Sequence, residues 1–91
     1  MKVPSMTVEQ AIQQKLNDRF QPVLLKIENQ SHLHSGHHGS PGTGESHFHV
    51  EIVADAFRNK SRIACHRLVN EVLAAELAGP IHALAIRARA P

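Results

Sequence analysis

A strand–helix–strand pattern between residues 46 and 89 most constrains the fold of this chain. Residues 47–53 alternate polar and apolar side chains with the period of two of a half-buried strand. From residue 61 to 77 apolar residues recur at helical spacing, and residues 81–86 are again apolar with β-branched ends. A helix of about 17 residues is about 25 Å long, enough to carry the chain back along a sheet. We therefore expect two parallel strands joined by a right-handed β-α-β crossover.

This topology has a consequence for the histidines. Parallel strands begin at the same edge of a sheet, so His82, at the start of the last strand, should lie beside the residues that precede Ser46. Those residues are rich in histidine, because five of the eight histidines lie between His32 and His47. Metal ligation, pH sensing and a merely soluble loop are competing interpretations of such crowding.

The N-terminal half predicts one helix and one strand. Residues 7–10 have the pattern of a capping box, with Thr7 as the N-cap and Gln10 reaching back to it. Pro22 should end this helix. Its core-facing stripe has the i, i+4, i+8 spacing of Val8, Ile12, Leu16 and Phe20. In the strand over residues 23–28 the inward positions are Val23, Leu25 and Ile27.

The C-terminal half completes the predicted sheet. The strand over residues 47–53 should pair antiparallel with the first strand and point Phe48, Val50 and Ile52 into the core. A turn over residues 55–60 covers Phe57, Ser61 caps the second helix, and Gly79-Pro80 ends it. The apolar face of that helix comprises Ile63, Leu68, Val69, Val72, Leu73, Ala75 and Leu77. The element order predicts an α+β fold, α-β-β-α-β, with a three-stranded mixed sheet and two helices on one face.

Chain length, cysteine content and net charge limit the class of protein. A chain of 91 residues is expected to form one domain over 1–91, with a flexible lead-in at 1–6 and a mobile histidine-rich loop at 30–46. The single cysteine, Cys65, forbids an internal disulfide and suits a reducing compartment. No apolar run is long enough to cross a membrane, so we expect a cytoplasmic protein. A net charge of +2 is weak support for nucleic-acid binding.

Several ordered blocks of the sequence resemble the BolA family. They are Gly44-Glu45-Ser46-His47-Phe48, Asp55-Ala56-Phe57, His66-Arg67-Leu68-Val69-Asn70, Ala74-Ala75-Glu76-Leu77 and Ile81-His82-Ala83-Leu84-Ala85-Ile86. The resemblance implies a fold similar to a class II KH domain and a small protein that is not an enzyme. It also implies pairing with a monothiol (CGFS) glutaredoxin, with or without a [2Fe–2S] cluster shared with glutathione, in iron–sulfur trafficking or iron sensing. Some family members are described as DNA-binding regulators of morphology and stress genes, which is the alternative function.

Two departures from the family pattern stand out. Cys65 precedes His66-Arg67 where members usually have an arginine, and Asn59 stands where a glycine is usual. The segment Gly36-His37-His38-Gly39 resembles an insertion in the loop.

The resemblance also implies candidate metal ligands. The family's cluster-binding histidine matches His82, and the second ligand would come from the loop. His34 fits the family spacing best, with His32, His37 and His38 as alternatives. A histidine that only bonds to backbone and a loop that is only solvated are the competing interpretations. His47 and His49, on the outward face of a strand, are expected to be structural.

A cluster of cations precedes and opens the second helix: Arg58, Lys60, Arg62 and Arg67. Positive charge near a helix N-terminus opposes the helix dipole, so an anion should compensate it. DNA phosphate, the glutathione carboxylates, solvent ions and Glu71 all compete for that role. His66 is either a partner contact or a half-buried helix residue. No nucleophile–base pairing is apparent, and we expect no catalysis and a monomeric apo form.

Overall fold

The structure is a computed structural model that describes residues 7–30 and 46–91. Its first element is helix α1, Val8–Phe20. Gln10 donates its backbone N–H to Thr7 Oγ1 at 3.1 Å, and Thr7 donates its own to Gln10 Oε1 at 2.9 Å, which confirms the predicted capping box. The helix ends where Gln21 adopts a left-handed conformation with φ 46°. Ile12 and Leu16 are fully buried.

The three strands form one mixed sheet in the order β1-β2-β3. Strand β1 is Leu24–Asn29, β2 is His47–Val53 and β3 is Ala83–Arg89. β1 pairs antiparallel with β2, and β2 pairs parallel with β3, as predicted. The central position of β2 explains why its inward residues Phe48, Val50 and Ile52 are the most deeply buried in the sheet.

The strand boundaries differ from the predicted ones at two places. β3 covers residues 83–89 rather than 81–86, because Ile81 donates its N–H to Glu76 O at 2.9 Å and so belongs to the end of the helical segment. Val23 precedes β1, and its side chain is 72% exposed although its N–H donates to Val53 O. The prediction that Val23 faces the core is therefore wrong, because the helical layer does not cover this end of β1.

The second helical segment is divided, whereas the sequence pattern predicted one helix. Helix α2 is Arg62–Val72, and helix α3 is Ala74–Ala78. Ser61 caps α2 as predicted, accepting the N–H of Ala64 at 3.1 Å. At the break, Leu73 leaves helical geometry with φ −100° and ψ 19° while its side chain stays fully buried. Three α-helices, rather than two, therefore lie within residues 7–30 and 46–91.

The core forms between the helices and one face of the sheet. Its buried cluster comprises Ile12, Leu16, Phe20, Phe48, Val50, Ile52, Ala54, Phe57, Cys65, Val69, Leu73 and Ile81. Ile63, predicted to be inward, is 66% exposed because it lies in the first turn of α2, away from the sheet. Glu76 enters the layer as a charged residue, and its Oε2 lies 2.7 Å from Lys15 Nζ. The fold is α+β, with helices on one sheet face, as the sequence predicted.

Leu16 offers a test of this core. Leu16→Ala should lower the free energy of unfolding by about 2–5 kcal/mol, because it opens a cavity at a fully buried site. Urea denaturation measures the loss. Gln14→Ala on the exposed side of α1 is the matched control and should change stability little. Equal stability of the two variants would contradict the assignment of Leu16 to the core.

Candidate functional site

His82 lies where the parallel pairing of β2 and β3 begins. Its N–H donates to the backbone oxygen of Ser46 at 2.7 Å, and the N–H of Ala83 donates to the same oxygen at 3.1 Å. These bonds place His82 beside Ser46, whereas the residues before Ser46, beside which His82 was predicted to lie, are outside the described residues. His82 itself precedes β3 by one residue rather than opening it.

The imidazole next to His82 is that of His47. The two ring centroids are 6.2 Å apart, with an angle of 55° between the ring planes. The strand register explains this proximity, because His47 is the partner of Ala83 across the parallel pair. We call His47 and His82 the histidine pair.

Ser46 holds one member of the histidine pair in place. Its Oγ lies 2.7 Å from His47 Nδ1. Ser46 is only 2% exposed, so this hydrogen bond orients the His47 ring from a buried position. Because Nδ1 is engaged, ligation of a metal by His47 would use Nε2. An outer hydrogen bond to the second ring nitrogen is the usual way in which proteins orient a histidine ligand.

The histidine pair can supply only part of a metal site. Two imidazoles on one tetrahedral metal, each bonded at about 2.0–2.1 Å, have ring centroids about 5 Å apart. The exposed His82 side chain can close the difference from 6.2 Å by a small rotation. Among residues 7–30 and 46–91, no group of three or more His, Cys, Asp or Glu side chains could hold a metal ion. Further donors would therefore have to come from elsewhere.

The predicted loop ligands cannot be placed in this site. His34 and its alternatives His32, His37 and His38 lie within residues 31–45, outside the described residues. Their pairing with His82 stays a prediction. His47 was not among the predicted ligands: its outward position on a strand predicts a structural role, which its hydrogen bond to Ser46 fits, while its proximity to His82 makes it a further candidate ligand. The parallel register was the available indication, since it aligns the first residue of β2 with the start of β3.

The predicted cationic cluster is exposed, and its members differ in their contacts. Arg58 Nε lies 2.8 Å from Asp55 Oδ1, so its charge is partly compensated. No carboxylate of the described residues forms an ion pair with Lys60, Arg62 or Arg67. Glu71, which was considered as a compensating anion, makes no ion pair within the same residues, and the first turn of α2 contains no acidic residue.

The sheet face opposite the helices carries further charge. Arg89 Nη1 donates to Glu51 Oε2 at 2.9 Å across β2 and β3. This hydrogen bond, with the nearby charges of Arg89, Lys26 and Arg87, holds the pKa of Glu51 below its ordinary value of 4.5. Lys26, Arg87 and Arg89 outnumber the two carboxylates at outward positions of this face, Glu28 and Glu51, so the face is positive.

The length and hydrophobicity of the described helices show whether any of them could cross a membrane. None of the helices within residues 7–30 and 46–91 is long and apolar enough to span a bilayer.

The fold is a small α+β domain that carries the histidine pair at one edge of its sheet. The family model of the BolA-like proteins matches residues 16–91, and the chain belongs to this family. It is 48% identical to a DNA-binding transcriptional regulator BolA of Vibrio cholerae over 87% of this chain and 71% of the relative. It is 45% identical to the mouse BolA-like protein 1, over 92% of this chain and 58% of that protein. These relatives are named as a regulator and a BolA-like protein, not as enzymes.

A solved structure supports the same assignment. The BolA domain of SufE1 from Arabidopsis thaliana superimposes with a TM-score of 0.85 at 39% identity, covering 97% of this chain and 96% of that one. The similarity therefore extends over the whole α-β-β-α-β arrangement.

The interaction between Glu51 and Arg89 on the open sheet face can be tested by the pH dependence of stability. Because the folded-state pKa of Glu51 is lowered, its ionised form contributes stability above pH 4.5, and this contribution is lost as the pH falls through the lowered pKa. Glu51→Gln should therefore be less stable than the parent chain at neutral pH and equally stable in strong acid. Urea denaturation across this range measures the difference. Glu71→Gln on the exposed side of α2 is the control, and a pH-independent difference for Glu51→Gln would contradict the Arg89 assignment.

Proposed function

We propose that this chain is a non-enzymatic partner of a monothiol (CGFS) glutaredoxin. In this proposal it shares a [2Fe–2S] cluster with the glutaredoxin and glutathione, for iron–sulfur trafficking or iron sensing in the cytoplasm. Membership of the BolA-like family supports the proposal. The observation that carries it is the histidine pair, which presents two imidazoles at one edge of the sheet.

The donor set fits a shared cluster better than a resident one. In Rieske centres two histidines replace two cysteines on one of the two irons and raise the reduction potential. The histidine pair could supply such ligands, whereas the described residues contain no third donor near it. Thiolates for a second iron would have to come from the partner and glutathione. Only the neutral imidazole binds metal, because an imidazolium must first lose a proton, so binding through His82 would weaken in acid.

Each residue of the site then has a role. In this proposal His82 is the first ligand. His47 or a loop histidine, with His34 first and His32, His37 and His38 as alternatives, supplies the second imidazole. Ser46 is a positioning residue, because its hydroxyl orients the His47 ring and its carbonyl anchors the backbone of His82.

Spectroscopy of the complex tests the ligand roles. The chain co-expressed with a CGFS glutaredoxin should give visible absorbance and circular dichroism that differ from those of the glutaredoxin alone. His82→Ala should remove this difference. Replacing His47 and each loop histidine in turn should identify the second ligand by the same loss.

His49→Ala is the matched control, because His49 occupies the next outward position on β2. It should leave the spectrum unchanged. An unchanged spectrum for His82→Ala, with the complex still formed, would show that the ligand assignment is wrong.

A second candidate function is DNA binding by the cationic cluster at the start of α2. The Vibrio cholerae relative is named as a DNA-binding transcriptional regulator, and Lys60, Arg62 and Arg67 lack ion pairs within the described residues. The small net charge of +2 is the observation against it as the main activity.

Salt dependence separates the two functions. If the cluster binds duplex DNA, changing Lys60 or Arg62 to Ala should reduce the slope of log K against log salt concentration by about 1 for each lost phosphate contact. Arg58→Ala should have the smaller effect, because Asp55 already compensates Arg58. Fluorescence anisotropy with a labelled promoter duplex measures the affinity of each variant at several salt concentrations and so gives its slope. Equal slopes for all variants would exclude this surface as the DNA site.

A further inference from the structure

A cleft at the outer edge of the sheet lies apart from the histidine pair. Arg62 and His66 of α2 line one side, and Ile86, Arg87 and Ala88 of β3 line the other. Its volume is about 230 Å³. It lies toward the far end of β3 from His82, because a strand advances about 3.3 Å per residue. Neither member of the histidine pair lines it.

The backbone of β3 is unpaired on this side. The groups of Ala83 and Arg89 point to β2, since Ala83 donates to Ser46 O at 3.1 Å and Arg89 O accepts from Ala54 at 3.0 Å. Successive residues of a strand point their N–H and C=O groups to opposite edges. The groups of residues 84, 86 and 88 therefore point away from β2, and no strand of the described residues pairs with them. Such an edge is a template for another extended chain.

The charges around the cleft determine which kind of extended segment would bind beside β3. Arg62 and Arg87 make no ion pair with any carboxylate of the described residues. Side chains of an added strand would alternate between the two sheet faces. Those on the helical face would meet Arg62, and those on the open face would meet Arg87. Acidic side chains on both faces would therefore be complementary.

Other occupants fit less well. A second copy of this chain, paired antiparallel over residues 84–88, would place Arg87 opposite Ala85 and diagonally across from Arg87 of the other copy, so it would bring no opposite charge to the arginines. A nucleic acid would match the arginines, but its phosphodiester backbone has no N–H donors for the outward carbonyls of residues 84, 86 and 88. An acidic peptide supplies both the backbone donors and the negative charge.

We propose that the free edge of β3 binds an extended acidic segment of a partner protein, which adds to the sheet as a fourth strand beside Arg62 and Arg87. Main-chain hydrogen bonds would hold the segment, and the arginines would select its charge.

A synthetic peptide serves as the probe. The ¹⁵N-labelled chain is titrated with an N-acetylated, C-amidated peptide that carries consecutive Glu residues between flanking Val residues, so that acidic side chains lie on both faces of the added strand, and in parallel with the same peptide in which Lys replaces Glu. The acidic peptide should shift the amide signals of Leu84, Ile86 and Ala88 and slow their exchange with solvent. The basic peptide should not.

Two variants and one control locate the binding. Arg62→Glu should weaken binding by about tenfold, because it replaces an opposite-charge contact with a like-charge one. An acidic residue in the first turn of α2 favours the helix, so this loss would not come from unfolding. Ala88→Pro removes an N–H that points away from β2 and should abolish binding while keeping the amide spectrum of a folded chain. Arg67→Glu makes the same charge change on α2 outside the cleft and should leave the affinity within about twofold.

Several results would overturn the proposal. They are equal binding of the two peptides, equal weakening by Arg62→Glu and Arg67→Glu, and shifts that map to residues away from β3 and the cleft. Displacement of the peptide by a single-stranded oligonucleotide at lower concentration would assign the cleft to nucleic acid. Concentration-dependent broadening of residues 84–88 without peptide would assign it to a second copy of the chain. Because no cluster is present in these titrations, their failure would leave the glutaredoxin proposal unaffected.

Discussion

The backbone oxygen of Ser46 is the contact on which the functional geometry depends. It accepts the N–H groups of both His82 and Ala83, and so fixes where β3 starts relative to β2. A shift of the register by one residue would turn every side chain of β3 to the opposite face. The inward residues Leu84 and Ile86 would then leave the core, which makes the register costly to change. The same constraint that builds the core therefore brings His82 next to His47.

Ser46 is also buried, which is unusual for a polar residue at the entry of a strand. Its hydroxyl lies against His47 Nδ1, so a single residue anchors the backbone of one imidazole and orients the ring of the other. Ser46 thus makes one hydrogen bond to its neighbour in sequence, His47, and accepts others from His82 and Ala83 across the sheet. The positions of His47 and His82 are therefore set by the pairing of the strands and not by the histidine-rich segment alone.

The parts of the fold that the sequence predicted correctly are those set by local chemistry or by simple periodicity. Thr7 and Gln10 interact within one turn, and Phe48 and Val50 alternate with outward residues, so both patterns are readable without the tertiary structure. The break at Leu73 and the exposure of Val23 depend on how far the helical layer extends over the sheet. The apolar character of a residue does not show how far the helices extend over the sheet.

The candidate site shows the same division. His82 was identified by a family motif, and its neighbourhood by the rule that parallel strands start at one edge. His47 was not a predicted ligand, because the period of two places it on the outward face, where solvation is the ordinary outcome. Only the register that pairs His47 with Ala83 shows that this outward residue meets His82.

The two ends of β3 present different chemistry because the strand lies at the edge of the sheet. At its start the backbone is committed to Ser46, and imidazoles determine what can bind there. Toward its end Arg89 is engaged by Glu51 across the open face, while Arg87 stays beside the unpaired edge. These regions are about 20 Å apart along a strand of this length. A protein partner large enough to cover both could combine metal ligation at one end with strand pairing at the other, whereas a short peptide could reach only the cleft. The two proposals therefore place partner recognition and metal coordination on separate residues, so that substitutions could change one without the other.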